Sequence, residues 1–494
     1  MIGRLSLKSS GRARKLSEML SSLFWGPQIE GQTHLYDWLW IIILYALGIY
    51  FWGTFFNWGD VSLNFHDWAA INIPRFDVMH DAFYYRMLPL HAECENCLHG
   101  VTDRFLVLPD VVTTPQMILL LFVSPTVFVL VDVLINYSLA VIGLILIKKR
   151  FRLSLFSYTF LFVLFHFNGH IQSHYAVGHA TWAGYFLFPL FFELVFQLLD
   201  EGPNWQWVTK ITILLFYSVL AGSQHHFTWM MLFMAFLALS YRMNFKWILA
   251  AIMFSGFVSA VRLLPPALSL AKFSVNFFAV PGYQSVYDFI TSLMVFHRPG
   301  YQFEAWPLEI GYWEFDYYIG LVGVVLVVYF GGVLWIKEGI GKESYSVLIF
   351  PTLALFLLSQ GSIYKITLYN FPLLSSERIA SRMASLPVTL VFFMAAISLN
   401  EVLKRKVIII RWLSLLAMVF IVNDILVHSF WWKIESVAQN FRPELLNLSG
   451  NSIINHVDSQ YLTVFYTGLI LSLGTMLMLF MLVAIEKRKL QQNK

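Results

Sequence analysis

Two arginines spaced by four residues lie in a polar segment between apolar runs. Arg378 and Arg382 would share one face of a helix that begins at about Ser376. Guanidinium groups bind phosphate through paired hydrogen bonds, so this spacing suits a phosphate or diphosphate group. The alternative is that both side chains only extend to the membrane–water boundary. The pattern predicts an anion site if the side chains face the interior.

Arg262 poses the same choice at the end of another apolar run, within Ser259–Pro266. An unpaired cation deep in a bilayer costs roughly 2.5 to 3.5 kcal/mol. This side chain therefore either reaches the interface or faces the interior of a helix bundle and binds an anion. In the second case it would be a substrate-binding residue together with Arg378 and Arg382.

Histidines form a further group. His166, His170 and His174 follow at steps of four, and His179 comes soon after. Imidazoles at this spacing can hold zinc, but Gly169 interrupts the run and no carboxylate accompanies it at helical spacing. We therefore expect hydrogen bonds or substrate contacts from these rings. No cofactor is assigned, and a divalent metal stays open as an alternative.

Cys94 and Cys97 are the two cysteines of the chain. With His91 and His99 they would make a zinc site, but a disulfide is the simpler arrangement in an oxidising compartment. We expect a small disulfide clip between them.

The elements that must position these groups are membrane helices. Of the 494 residues 58% are hydrophobic and 13% are charged, against about 25% charged in soluble chains. We expect an all-α integral membrane protein with about 12 transmembrane helices, because apolar runs long enough to cross a bilayer recur from end to end. The predicted spans are 36–55, 117–147, 153–167, 181–198, 209–222, 227–240, 247–264, 317–336, 345–360, 384–402, 407–428 and 461–485.

Orientation follows from the basic residues, which accumulate in cytoplasmic segments. With the N-terminus inside, 22 of the 33 Lys and Arg residues fall on the cytoplasmic side. Both termini are then cytoplasmic, and residues 56–116, 265–316 and 429–460 form the long outer loops. We divide the chain into a basic cytoplasmic tail (1–35), a transmembrane core with its first two outer loops (36–428), and a last loop, helix and basic tail (429–494). The tail has no short apolar core with a cleavage site, so we expect no removed signal peptide.

Four segments carry a resemblance to a known class of enzymes. They are Asp67-Trp68 with Asp81–His91 and Leu108–Gln116, then Gly178-His179-Ala180-Thr181-Trp182 with Phe188-Pro189, then Glu314–Gly320, and finally Glu377–Arg382. Together they resemble bacterial multi-pass proteins of the GT-C glycosyltransferase class, especially the YfhO-like membrane proteins. The resemblance covers roughly residues 36 to 400.

The resemblance implies a transferase in the cell (inner) membrane that moves a sugar from a polyprenyl-phosphate donor to a lipid, glycan or protein acceptor. An essential carboxylate of this class follows the first span, where Asp60 and Asp67 lie, and the following Trp68 favours Asp67. It would deprotonate the acceptor hydroxyl in an inverting transfer. The arginines would bind the departing phosphate, and His174 and His179 would orient the phosphate or the sugar.

Other classes of function are open or excluded. Twelve spans with polar groups such as Asp132, Glu193 and Asp424 also fit a transporter or flippase, and an inactive protein with the same fold is a third reading. No glycine-rich phosphate loop follows a strand pattern, which argues against a nucleotide-sugar donor. The net charge of +4 gives no reason to expect nucleic acid as a partner, whereas the lipid bilayer is an expected one.

Overall fold

The computed structural model describes residues 24–26, 35–86, 112–269, 282–297, 311–338, 343–369, 371, 374, 377, 379–405, 407–444 and 459–492. These residues are helical almost throughout. They contain no β-strand, and an isolated bridge joins Tyr283 to Gln360. The predicted all-α membrane fold is confirmed at this level.

The α-helices of these ranges are numbered in chain order. They are α1 Leu35–Phe55, α2 Ile73–Tyr84, α3 Pro125–Phe151, α4 Leu155–His166, α5 Gly169–Val177, α6 Phe188–Glu201, α7 Trp205–Leu220, α8 Gln224–Ser240, α9 Phe245–Val258, α10 Ala260–Ser269, α11 Val286–Met294, α12 Gly320–Leu326, α13 Leu334–Glu338, α14 Ile349–Leu358, α15 Gly361–Thr367, α16 Ser385–Lys404, α17 Ile408–Trp432, α18 Ile434–Ala438 and α19 Ser459–Gln492. Short 3₁₀ or π turns at Ala180–Leu187, Val327–Val333 and Ala380–Ala384 run directly into α6, α13 and α16.

Seven helical segments in the described ranges are long and apolar enough to cross a bilayer. They correspond to the predicted spans 36–55, 117–147, 181–198, 317–336, 384–402, 407–428 and 461–485. The predicted span 247–264 is instead a pair of helices bent by 75°, which makes an eighth crossing if the pair counts as one. The other four predicted spans fall on α4, α7, α8 and the segment Tyr345–Leu358, which are 12, 16, 17 and 14 residues long. The count of twelve stays a prediction, because a 12-residue helix rises only about 18 Å.

Two of the long segments form the centre of the bundle. In Ala180–Glu201 and in Ala380–Lys404, 83% of the residues of the apolar 18-residue stretch are buried inside the protein. The same share is 11% in Ile408–Trp432 and 17% in Ser459–Gln492. The central pair is therefore covered by protein on most sides, whereas α17 and α19 present most of their surface to lipid.

Close backbone contact fixes α3 against α6. Gly143 in α3 lies so near α6 that a Cβ atom at this position would be 2.7 Å from the Leu190 nitrogen and 2.7 Å from Pro189 Cβ. Only glycine permits this approach. The contact sets the position of the central segment Ala180–Glu201, whose first residues reach the candidate site.

We expect Gly143→Val to lower the melting temperature of the purified protein in detergent, since overpacking of this kind typically costs about 1 to 3 kcal/mol. Gly256→Val is the matched control. It also places valine in a membrane helix, but nothing lies within 4 Å of its Cβ position. Equal losses in the two variants would contradict the close packing of α3 on α6.

Candidate functional site

A carboxylate and an imidazole from distant parts of the chain meet at one end of the bundle. The Asp67 Oδ2 atom lies 3.0 Å from the Nε2 atom of His179, and the two side chains are 22% and 9% exposed. Asp67 precedes the π turn Trp68–Asn72, and His179 precedes the central segment that starts at Ala180. The pair is thus reachable from water on the side of the carboxylate.

A backbone contact docks this loop onto the α5–α6 connection. Gly178 has φ +104°, and a Cβ atom there would be 2.4 Å from the backbone nitrogen of Trp68. His66 Nδ1 is hydrogen-bonded to the Val177 carbonyl at 2.9 Å, and the Asn72 amide donates to the Gly178 carbonyl. Backbone shape and polar contacts therefore bring the carboxylate to the imidazole.

The imidazole of His179 is hydrogen-bonded to a second imidazole. Its Nδ1 atom is hydrogen-bonded to Nδ1 of His174, which is fully buried. When Asp67 is ionised, it accepts from Nε2–H of His179, so Nδ1 of His179 must accept from His174. The Nε2 atom of His174 then carries a lone pair, and no described residue bonds to it. Asp67, His179 and His174 form a continuous hydrogen-bonded chain from the surface inward.

Burial keeps these rings neutral. It lowers the pKa of His179 below its usual range, although the hydrogen bond that His179 donates to Asp67 acts in the opposite direction. The pKa of His174 is lowered further, first by complete burial and then by the neighbouring histidines and Arg382. At physiological pH the two rings therefore act as neutral hydrogen-bond donors and acceptors.

Trp182 is the centre around which the site is packed. Its ring stacks on His174 with 3.9 Å between centroids and an interplanar angle of 19°. The guanidinium carbon of Arg382 lies 4.7 Å from the Trp182 centroid, close enough for a cation–π interaction. The indole N–H donates to Nε2 of His170 at 3.0 Å. One side chain thus links the imidazole chain to the arginine.

Arg382 is held by a buried carboxylate. Its Nε atom donates to Oε2 of Glu314 at 2.6 Å, and its Nη2 atom donates to Oε1. Burial alone would raise the pKa of Glu314, but attraction to Arg382 and the hydrogen bonds outweigh it, so the carboxyl is ionised. Ser381 Oγ also donates to the Glu314 carbonyl at 2.7 Å, which locks the two segments together.

A second carboxylate–imidazole pair lies on the far side of Trp182. Nδ1 of His225 lies 2.9 Å and 3.0 Å from the two carboxylate oxygens of Glu377, which is 2% exposed. The Trp229 indole donates to the same carboxylate at 3.1 Å. The rings of His225 and Trp182 have centroids 6.3 Å apart, so both pairs border one site.

Three helical segments begin at this place. The starts are at Ala180, Gln224 and Ala380, next to His179, His225 and Arg382. The first turn of a helix exposes unpaired N–H groups and carries a partial positive charge. Converging helix starts therefore favour negative charge at this buried site.

The structure brings together four of the residues singled out from the sequence: Asp67, His174, His179 and Arg382. Asp60 is different. It is exposed, its carbonyl accepts from the Asn57 amide, and no contact within the described ranges joins it to the cluster.

Arg262 is 4% exposed and lies just after the bend between α9 and α10. It therefore does not extend to an interface. The prediction of a helix that begins at about Ser376 is wrong, because the backbone of Ile379 is extended and the helical turn begins at Ala380. Arg378, Cys94 and Cys97 lie outside the described residues, so the arginine pair and the disulfide stay predictions.

The histidines at steps of four are divided between two helices, as the interruption at Gly169 indicated. α4 ends at His166. Asn168 caps the start of α5, because its side-chain oxygen accepts a hydrogen bond from the backbone N–H of His170. Within the described ranges no three His, Cys, Asp or Glu side chains converge as metal ligands. His170 and His174 make ring stacks and hydrogen bonds, and a divalent metal stays an open prediction.

Sequence reasoning missed Glu314, Glu377 and the central role of Trp182. All three belong to the segments that carry the resemblance. Their signal was a carboxylate or an indole directly before an apolar run, which is a position where a buried side chain needs a partner.

No known protein family, curated protein or solved structure matches this chain.

We expect Gly178→Ala to separate Asp67 from His179. The new Cβ atom would strike the Trp68 backbone, and the residue would have to keep a left-handed conformation. Gly202→Ala is the matched control, because Gly202 also has positive φ (+78°) but nothing within 4 Å. Limited proteolysis of the two purified variants measures the effect. Increased cleavage near residue 67 in Gly178→Ala alone is the expected result, and identical patterns would contradict the contact.

The buried imidazoles predict a pH dependence of stability. The pKa values of His170, His174 and His179 are lowered in the folded protein, so the unfolded chain binds more protons below about pH 6.5. Stability is therefore complete above that pH and falls as the pH drops, by at most about 1.4 kcal/mol per pH unit for each ring. We expect the melting temperature to decrease from pH 7.5 to 5.5.

His174→Phe keeps the ring stack but cannot titrate, so its melting temperature should change less with pH than that of the wild type. His80→Gln is the control, since His80 is 43% exposed. A steeper or unchanged slope in His174→Phe would argue against a buried neutral ring.

Proposed function

We propose that this chain is a membrane glycosyltransferase that uses a polyprenyl-phosphate-linked sugar, with Asp67 as the base that deprotonates the acceptor. The observation that carries the proposal is the Asp67–His179 pair, a water-accessible carboxylate held by a buried neutral imidazole. The pair lies at the end of a bundle of apolar helices, where a lipid-linked donor and a polar acceptor can meet. The resemblance to GT-C enzymes agrees with a carboxylate shortly after the first span.

The reaction is an inverting displacement. Asp67 takes the proton of an acceptor hydroxyl, whose oxygen attacks the anomeric carbon of the sugar while the carbon–oxygen bond to phosphate breaks. The phosphate leaves with the bonding electrons. The proton stays on Asp67, while His179 positions the carboxylate through the 3.0 Å contact and is itself held by the hydrogen bond from His174.

Stabilisation of the leaving phosphate is the second requirement. Glu314 occupies Nε and Nη2 of Arg382, so the remaining Nη1 edge is the part of this guanidinium that suits a phosphate oxygen. The Nδ1 atom of His225, whose side chain is 20% exposed, lies 2.9 Å from Oε1 of Glu377 at the border of the same site. The three helix starts add partial positive charge. Arg378 keeps its predicted role as a phosphate ligand.

Transport is the second candidate, and two observations favour it. Asp132 is buried within α3, where its carboxylate accepts from Gln116 at 2.9 Å, and Gln116 also donates to the Tyr217 hydroxyl at 3.0 Å. The bent pair α9–α10 is also the kind of broken span that lines transport pathways. Glu193, by contrast, is paired with Arg150 at 2.7 Å and is no free pathway group.

The test is sugar transfer by the purified chain in nanodiscs, supplied with a panel of radiolabelled polyprenyl-phosphate sugars and a membrane extract as acceptor. We expect Asp67→Asn to reduce transfer about 100-fold or more, in the range lost with a general base. Asp81→Asn is the control, because Asp81, with 29% of its side chain exposed, also lies 3.3 Å from a histidine, His80, but in α2 and not in the cluster around Trp182.

Full transfer by Asp67→Asn would remove the assigned base. Absence of transfer with every donor, together with solute uptake into vesicles, would replace the transferase proposal by transport.

A further inference from the structure

A cavity lies at the other end of α8 from the imidazole cluster. Its volume is about 590 Å³, within the usual range of ligand sites. Arg242, Met243, Phe245, Lys246 and Trp247 line it. α8 is 17 residues long and separates the cavity from the candidate site by about 25 Å along its axis. The two places therefore lie near opposite surfaces of the bundle.

The polar side of the cavity is positively charged. Arg242 and Lys246 are both exposed, and no carboxylate in the described part of the chain is ion-paired with either. Phe245, Lys246 and Trp247 also form the first turn of α9, whose preceding Asn244 makes no capping hydrogen bond through its side chain. Two cations that have no ion-paired carboxylate among the described residues are complementary to a phosphate group.

The apolar side continues from the cavity along α9. Phe245, Leu249, Met253 and Phe257 follow at steps of four, and their exposed fractions are 42%, 42%, 50% and 47%. Residues at this spacing share one helix face. The row rises about 18 Å, close to the depth of one leaflet of a hydrocarbon core of about 30 Å. Met243, 85% exposed, extends the apolar surface at the mouth of the cavity.

We propose that this cavity and row bind an anionic glycerophospholipid, with its phosphate between Arg242 and Lys246 and an acyl chain along the exposed face of α9. Charge complementarity selects an anionic headgroup. The apolar row selects a lipid over free phosphate, because a free anion gains nothing from Leu249 or Met253. The binding site is independent of the transferase proposal, since it shares no residue with the cluster around Trp182.

The experiment is native mass spectrometry of the full-length purified chain with phosphatidylglycerol or phosphatidylcholine added at equal concentration. We expect selective retention of phosphatidylglycerol. Arg242→Gln and Lys246→Gln should each weaken it about fivefold, as expected for one basic residue near an anionic lipid. Arg405→Gln is the matched control, because Arg405 is another exposed arginine. It follows the end of α16 that is remote from the cluster around Trp182, and it does not line the cavity.

The apolar half of the site is tested separately. Leu249→Gln with Met253→Gln should weaken phosphatidylglycerol binding while Arg242 and Lys246 are intact. Melting temperatures in phosphatidylcholine verify that every variant is folded. The proposal is overturned if Arg242→Gln and Lys246→Gln bind phosphatidylglycerol as the wild type does. It is also overturned if millimolar inorganic phosphate displaces the lipid, or if the apolar variant retains full binding.

Discussion

The buried ion pair between Arg382 and Glu314 is the interaction on which the site depends. Both charges are removed from water, and such a pair is tolerated only when each partner is compensated by good geometry and further hydrogen bonds. Here Glu314 accepts two donors of one guanidinium, Ser381 binds its carbonyl, and Trp182 covers the cation. Loss of one partner would leave an uncompensated buried charge. The ion pair therefore holds together the segments that carry Glu314, Arg382 and Trp182.

A second anchor holds the segment that carries Glu314. The Asp316 carboxylate is fully buried, lies 2.9 Å from Nε2 of His428 and accepts from the Trp432 indole at 2.8 Å. Its other oxygen accepts from the Tyr318 nitrogen at 2.9 Å. α17 is otherwise a lipid-facing helix, and this polar contact is what joins its end to the centre. The bundle therefore depends on buried polar groups as well as on apolar packing.

Much of the architecture could be predicted from the sequence, because an apolar run of about 20 residues identifies a membrane helix with little ambiguity. The same signal does not give helix length or bends. The apolar run before His166 contains a helix of 12 residues, since Asn168 ends it and starts the next. The bend after Val258 was equally invisible, because Ser259 and the apolar residues around it are compatible with a continuous helix.

The site was predicted in part for a similar reason. Asp67, His179 and Arg382 were identified by residue type and by their positions beside apolar runs. Their partners depend on tertiary contacts between residues far apart in the chain, such as Arg382 with Glu314, and a single sequence does not report those distances. The role of Gly178 could not be read either, because its necessity comes from the backbone of Trp68 and not from its neighbours.

Exposure to solvent decreases from Asp67 through His179 to His174, so the site is open to water at one end only. Water touches the carboxylate, but it does not reach the second imidazole. In the proposed transfer, bulk solvent could therefore compete with the acceptor only at this outer edge, where the acceptor would also bind. An acceptor that fills this edge would shut water out by its own presence, so the fidelity of transfer over wasteful hydrolysis would be set by how well the acceptor seals the entrance.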